Sequence, residues 1–397
     1  MTANPAETTL LERLLQAARS CDYAGYNKHD ALLSPLLLSL MGRTRLARLV
    51  AIQLVMRAPI NLRSLLGVPR TRNPKGIGLF AFAYLLRYEC SRKPQDLEQA
   101  RELLQWLHAN RSRTHTGLSW GYQYPWQDVG FFAPAFFPNR VVTCWIGHSF
   151  FKAWQVTGNE EYLEICNEIC QFLLDAPGRI VDTDNELCLS YVPDPTVSWA
   201  VMDVSALCAR MLALTGKQTG NDRYLREAAR CINYVLKRQT DYGAWYYTDP
   251  PSDSTITHDN YHTGIILDCL LDYATTTGNE SCLEGYNAGL SYYARNLFTP
   301  DGAPKWMNTV VWPHDIHGAA QGIISFSKAA ALYPEYENLA RKICAWTLKH
   351  LYDTTSGFFW YQKTRFFTRR FTLMRWCNAW MAVALATRRA NNRTPGE

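Results

Sequence analysis

Three times, about 60 residues apart, an apolar helical stretch stops at Gly-Asn and the next opens on acid. The copies read Val156-Thr157-Gly158-Asn159-Glu160-Glu161-Tyr162-Leu163, Thr219-Gly220-Asn221-Asp222-Arg223-Tyr224-Leu225 and Thr277-Gly278-Asn279-Glu280-Ser281-Cys282-Leu283. Glycine ends a helix because it enters the left-handed conformation without strain, and carboxylates in a first turn suit the positive end of the helix dipole. Each copy therefore predicts a tight helical hairpin. Degenerate copies stand at Ser91-Arg92-Lys93-Pro94-Gln95-Asp96-Leu97 and Tyr333-Pro334-Glu335-Tyr336-Glu337-Asn338-Leu339.

A second landmark follows each acid-start helix. It reads Gly117-Leu118-Ser119-Trp120-Gly121-Tyr122, Gly243-Ala244-Trp245-Tyr246-Tyr247, Gly302-Ala303-Pro304-Lys305-Trp306 and Gly357-Phe358-Phe359-Trp360-Tyr361, with a weaker copy at Glu186-Leu187-Cys188-Leu189-Ser190-Tyr191. A long loop rich in Pro and aromatic residues comes next, then an apolar helix. Helices joined alternately by short and long connections run up and down, with every long loop at one end. Five such hairpins follow Asn73, and the segment Thr8 to Val68 has room for a sixth pair. The expectation is an all-α chain, an (α/α)6 toroid of six helical hairpins closed in a ring, with short β-like Gly-aromatic segments in the long loops. No linker or composition break interrupts the series, so residues 1–390 are expected to form one domain and 391–397 a disordered tail.

The inner helices would then begin at the long-loop end and rim a central cleft. Their openings are Asn73-Pro74-Lys75-Gly76, Asn139-Arg140-Val141, Ser198-Trp199-Ala200, Asp259 to Thr263, His314 to Gln321, and Met374-Arg375-Trp376. Free backbone N–H groups converge there and favour an anionic or hydroxyl-rich ligand. Asn139, Asn260 and Gln321 add neutral hydrogen bonds, while Trp120, Tyr122 and Trp376 offer flat faces for sugar rings.

Histidines concentrate at two of these openings. His258 and His262 lie i, i+4, and His314 and His317 lie i, i+3, so each pair can share a helical face. A metal site is one reading. The sequence supplies neither an HExxH frame nor a CxxC pair, and no metal or cofactor is assigned. Acid/base chemistry is another reading, with His262 and His317 exchanging protons while Asp259 and Asp315 orient them. Helix-capping aspartates beside satisfied core histidines are a third. Asp128 sits in the most aromatic loop, where apolar walls would raise its pKa and suit it as a general acid. Arg140 and Arg375 open inner helices against the dipole, so a ligand carboxylate or phosphate, or a salt bridge to Asp203 or Asp315, should hold them there.

The net charge of +6 is spread over 397 residues, which gives no nucleic-acid footprint. An exception is Arg43 to Arg72, where arginines alternate with Leu, Val and Ile; this reads as a face resting on an anionic membrane or as an outer helix with a solvated side. Met1 to Leu10 lacks the pattern of a signal peptide, and the longest apolar run, Ala31 to Met41, falls short of the about 20 residues a span needs. The location expected is cytoplasmic, with peripheral contact at the inner membrane as an option. Most of the twelve cysteines lie in apolar helical stretches, as small hydrophobes do.

Across essentially its whole length the chain resembles the VpsJ-like proteins of bacterial exopolysaccharide and capsule biosynthesis. The residues that carry the resemblance include Asp22-Tyr23-Ala24-Gly25-Tyr26, Ala58-Pro59-Ile60-Asn61-Leu62-Arg63, Asp259-Asn260-Tyr261-His262-Thr263-Gly264, Asp315-Ile316-His317-Gly318-Ala319-Ala320-Gln321 and Met374-Arg375-Trp376. Membership would imply the toroid and a role in making or modifying a surface polysaccharide. Tyr261-His262-Thr263 and Ala320-Gln321-Gly322 are also similar to segments in the helical domain of glucuronyl C5-epimerases, which would make Tyr261 a catalytic candidate. The expected function is acid/base chemistry, epimerisation or elimination, on a uronic-acid-containing glycan or its precursor. A glycoside hydrolase pairing Asp128 with Asp259 or Asp315 is the first alternative. A non-catalytic glycan-binding or assembly component of a polysaccharide synthase complex is the second.

Overall fold

A computed structural model describes residues 5–391. The chain opens with α1 (Pro5–Ser20), followed by α2 (Pro35–Met41) and α3 (Arg45–Arg57). Helical hairpins then follow in series: α4 (Pro74–Ser91) with α5 (Pro94–Ala109), α6 (Arg140–Thr157) with α7 (Glu160–Asp175), and α8 (Met202–Thr219) with α9 (Asp222–Lys237). Next come α10 (Asn260–Thr277) with α11 (Glu280–Asn296), α12 (Ile316–Ala330) with α13 (Tyr336–Leu351), and a π-helical turn Met374–Ala379 that runs into α14 (Trp380–Asn391).

The even-numbered helices from α4 to α14 pack side by side, and α14 returns to α4. That contact closes the ring. The odd-numbered helices α5 to α13 form an outer layer, each against its hairpin partner. The division follows from the sequence: α4, α6, α8, α10 and α12 are apolar nearly all round and buried, whereas α7 and α9 carry one apolar stripe. Asn159, Asn221 and Asn279 cap the outer helices by accepting from the N–H of Glu161, Tyr224 and Cys282, which fixes each short turn.

The last hairpin differs from expectation. Thr8 to Val68 does not hold a sixth pair of its own; α1 at one end of the chain supplies the outer helix for α14 at the other, through Leu11, Leu14 and Leu15. Helix α3 lines the cleft through Gln53, Met56 and Arg57, and α2 packs on α3. The expected tail at 391–397 lies, from 392 on, outside the described residues.

The long loops pair in short antiparallel segments, such as Trp126–Gln127 with Phe132–Ala133 and Ala200–Val201 with Thr248–Asp249. The Gly-aromatic landmarks turn back onto the outer helices: the indoles of Trp120 and Trp245 donate to the Leu107 and Val235 carbonyls. Gly243 is required at its turn, because φ is 89° and a Cβ would sit 2.6 Å from the Ala288 carbonyl oxygen. The loops are therefore stapled to the wall.

Candidate active site

The inner helices start at the long-loop end, where their first turns surround a cavity of about 450 Å³. Trp145 and Trp380 meet edge to face at 4.6 Å beneath it, with the Lys75 ammonium 5.6 and 5.3 Å from their rings. Local hydrogen bonds fix the rim. Asn73 caps α4 by accepting from Gly76 N–H, and Asn139 caps α6 by accepting from Val142 N–H. From the N-terminal side, the buried Arg63 guanidinium donates to Asp30 (2.6 Å) and to the carbonyls of Asn27 and Lys28. That clamp holds the turn that carries Lys28 into the cavity.

The cavity holds three buried basic side chains. Lys28, Lys75 and Arg375 line it, are almost fully buried, and make no salt bridge to a carboxylate among the described residues. Buried cations are ordinarily paired. Here aromatic faces serve instead: the Lys28 ammonium lies 3.6 Å from the Trp376 ring centroid, and the Arg375 guanidinium 5.2 Å from that of Tyr122. Burial lowers the Lys28 pKa to about 8, against the opposing pull of Asp315, and holds Lys75 well below its usual range. The Nε of Arg375 is buried without a partner. Three basic side chains facing one space without a direct carboxylate partner, although Lys75 feels the charge of Asp203 and Lys28 that of Asp315, fit an anionic group.

Acid/base groups stand among these cations, the Lys28 ammonium lying 5.9 Å from the Tyr261 ring. Asp259 accepts from His262 Nδ1 at 2.8 Å, so the imidazole presents Nε2, which has no hydrogen-bond partner among the described residues. Burial pulls the His262 pKa down, but Asp259 and Asp203 outweigh it and leave the group above its ordinary value. His317 is the opposite case. It is sandwiched between Tyr261 (4.5 Å) and Trp380 (4.4 Å), and burial together with Lys75 and Arg375 holds it neutral; both its ring nitrogens are buried without a partner. Tyr261 lies between the two, its ring 4.1 Å from His262. Asp128 and Asp203 also line the cavity, and burial raises both carboxyls.

Of the residues named from sequence, His262, His317, Tyr261, Asp128, Tyr122, Trp376 and Arg375 line the cavity, with Asp259 directly behind His262. The others stand in the wall. Asp315 accepts from His317 N–H, the Trp376 indole and Gln362, so it fixes Trp376 rather than the His317 ring. Arg140 donates to the carbonyls of Ala176, Pro177 and Ser190, tying down the next long loop. His258 and His314 bond the Trp245 and Pro304 carbonyls at matching places in successive repeats, each at 2.7 Å. Trp120 is stapled to α5, Asn139 is a cap, Asn260 bonds the Leu297 carbonyl, and Gln321 bonds Asp268 deeper in the barrel. Sequence reasoning put Lys75 in a rim opening without a role, and missed Lys28, Asp203, Tyr191 and Tyr247 as lining residues. Lys75 left one signal: a lysine in the first turn of an otherwise apolar helix, where the dipole disfavours it.

This closed double ring is the (α/α)6 toroid, a fold shared with many solved structures. Cellobiose 2-epimerase from Bacillus thermoamylovorans B4167 superposes with a TM-score of 0.63 at 10% identity, over 80% of this chain and 88% of that one. A GH76 alpha-mannanase of Bacteroides thetaiotaomicron gives 0.62 at 15% identity, over 82% and 88%. An unsaturated glucuronyl hydrolase specific for heparin gives 0.61 at 12% identity, over 95% and 97%. At these identities the likeness is one of fold. No protein-family model and no curated protein matches the sequence.

Proposed function

We propose that the protein is a carbohydrate-active enzyme that moves a proton beside the carboxylate of a uronic-acid-containing saccharide. The observation that carries this reading is the His262–Asp259 pair facing the same cavity as Lys28, Lys75 and Arg375. A hydrogen on the carbon next to a carboxylate is removable only if the charge that moves onto the carboxylate is stabilised, and unpaired buried cations supply that. His262 Nε2 takes the proton from C5, with Asp259 holding the Nδ1 hydrogen and stabilising the imidazolium. The Tyr261 hydroxyl returns a proton to the opposite face, giving the C5 epimer, while the neutral His317 ring packs against Tyr261 and positions it. If the C4 substituent leaves instead with its bonding pair, protonated as it goes, the product carries a C4–C5 double bond. The aromatic walls, Trp376 and Tyr122 among them, suit the apolar faces of pyranose rings.

The structural neighbours named above, an epimerase and two hydrolases of sugars, support a saccharide ligand. The resemblance to VpsJ-like proteins supports a role in bacterial surface polysaccharide biosynthesis. Incubation with uronate-bearing oligosaccharides, followed by proton NMR and ultraviolet absorbance, tests the reading. A C5 epimer or an unsaturated product, lost in His262→Ala, is expected. New reducing ends without either would favour hydrolysis instead, for which Asp128 and Asp203, two burial-raised carboxyls in the cavity, are the available pair.

A further inference from the structure

Helix α3 has two working faces. Ala51, Ile52 and Val55 are buried, and Gln53 and Met56 line the cavity. On the outer side Leu46, Val50 and Leu54 repeat every fourth residue and are exposed, Leu46 by 73% and Leu54 by 63%. Helix α2 buries no residue at all and displays Leu36, Leu38 and Leu40. A second, distant segment adds to this face. The turn between Gln362–Lys363 and Thr368–Arg369 presents Phe366 at 86% exposure, and Arg369 bonds it to the Arg57 and Ala58 carbonyls at the end of α3. Two separate parts of the chain, α2–α3 and the turn at Phe366, thus bring large apolar side chains together beside the cleft mouth.

Charge decides what fits this face. No Asp or Glu occurs between Asp30 and Glu89, or between Asp353 and Glu397, while Arg43, Arg45 and Arg57 stand in the same segment as the exposed leucines and the Arg365 guanidinium lies 5.6 Å from the Phe366 ring. A second copy of the chain would set arginine against arginine across a two-fold axis. We infer that this face docks on an anionic lipid surface, with the leucine and phenylalanine tips in the interfacial layer and the arginines on the headgroups. The docking stands apart from whatever reaction the cleft performs. Taken with the saccharide reading, on which this last step rests, it puts the cleft mouth at the membrane plane, where a lipid-attached sugar reaches the cavity without leaving the bilayer.

The test is co-sedimentation of the full chain with vesicles of phosphatidylcholine alone and of phosphatidylcholine mixed with phosphatidylglycerol. Sedimentation with the mixed vesicles is expected, weakened by salt. Leu40→Glu with Phe366→Ser should lower it by at least about tenfold, and Arg43→Glu with Arg365→Glu should remove the preference for phosphatidylglycerol. Thermal melting checks that these exposed-site variants stay folded, and Lys75→Ala, inside the cleft, should sediment like wild type. Absence of sedimentation, equal binding to both vesicle types, or wild-type binding by the Leu40/Phe366 variant would overturn the inference. A dimer in light scattering that Leu40→Glu splits, without vesicle binding, would overturn it in favour of self-association.

Discussion

At the residue scale, the chemistry turns on how two histidines are held. Asp259 and Asp203 raise the His262 pKa above that of a free histidine against burial, and His317 is held far below it. Asp259→Asn removes the larger of the two attractions, so the acid limb of the rate profile should move to lower pH while kcat falls by roughly 10²-fold. An unchanged pH profile would contradict the role given to Asp259. The sign carries over to stability. A folded-state pKa raised above the unfolded value gives stabilisation that is fully present below 6.5 and lost as pH rises through the folded value. The melting temperature of wild type should therefore exceed that of His262→Gln most at acid pH, with the gap narrowing toward alkaline pH. The histidine and aspartate openings were legible because two such clusters open apolar helices. Which member of each faces the cavity was not: His258 and His314 have the same spacing signals as their neighbours, and only the return path of each long loop makes them carbonyl-bound staples.

Hairpins belong to the scale of elements, and there local chemistry was sufficient. Gly-Asn followed by acid located the short turns, and the structure adds the caps that hold them. Asn221→Ala should cost about 1 kcal/mol in urea denaturation. Gly243→Ala should cost more, about 1–3 kcal/mol, because left-handed strain adds to the approach of Ala288. The N-terminal turn was harder to read. Lys28 reaches the cavity through a buried Arg63–Asp30 pair 33 residues apart in sequence, and a contact at that separation leaves no local pattern. Asp30→Ala leaves the guanidinium buried without its counter-charge, so a loss of about 3–5 kcal/mol is expected, with weakened uronate binding in calorimetry as the Lys28 turn loosens. Loss of stability with unchanged affinity would separate the clamp from the site.

For the whole molecule, alternation of short and long connections predicted a ring with one functional end, and the packing of α14 on α4 closes it. Closure through α1 was not legible, because its partner helix lies at the opposite end of the sequence. Leu14, fully buried between α1 and the ring, should cost about 2–5 kcal/mol when replaced by alanine, as measured by thermal or urea unfolding. The same geometry concentrates the first turns of the inner helices, the unpaired cations and the His262–Asp259 pair in one cavity, and the account rests on that convergence. It is tested most directly by mass spectrometry of a uronate oligosaccharide incubated with the protein in deuterated buffer. One deuterium per turned-over uronate, located at C5 in an epimerised product and absent with His262→Ala, is predicted for epimerisation. Unsaturated product without retained deuterium is predicted for elimination. Recovery of unlabelled, unaltered saccharide, or hydrolysis that survives His262→Ala, would contradict proton transfer at this site.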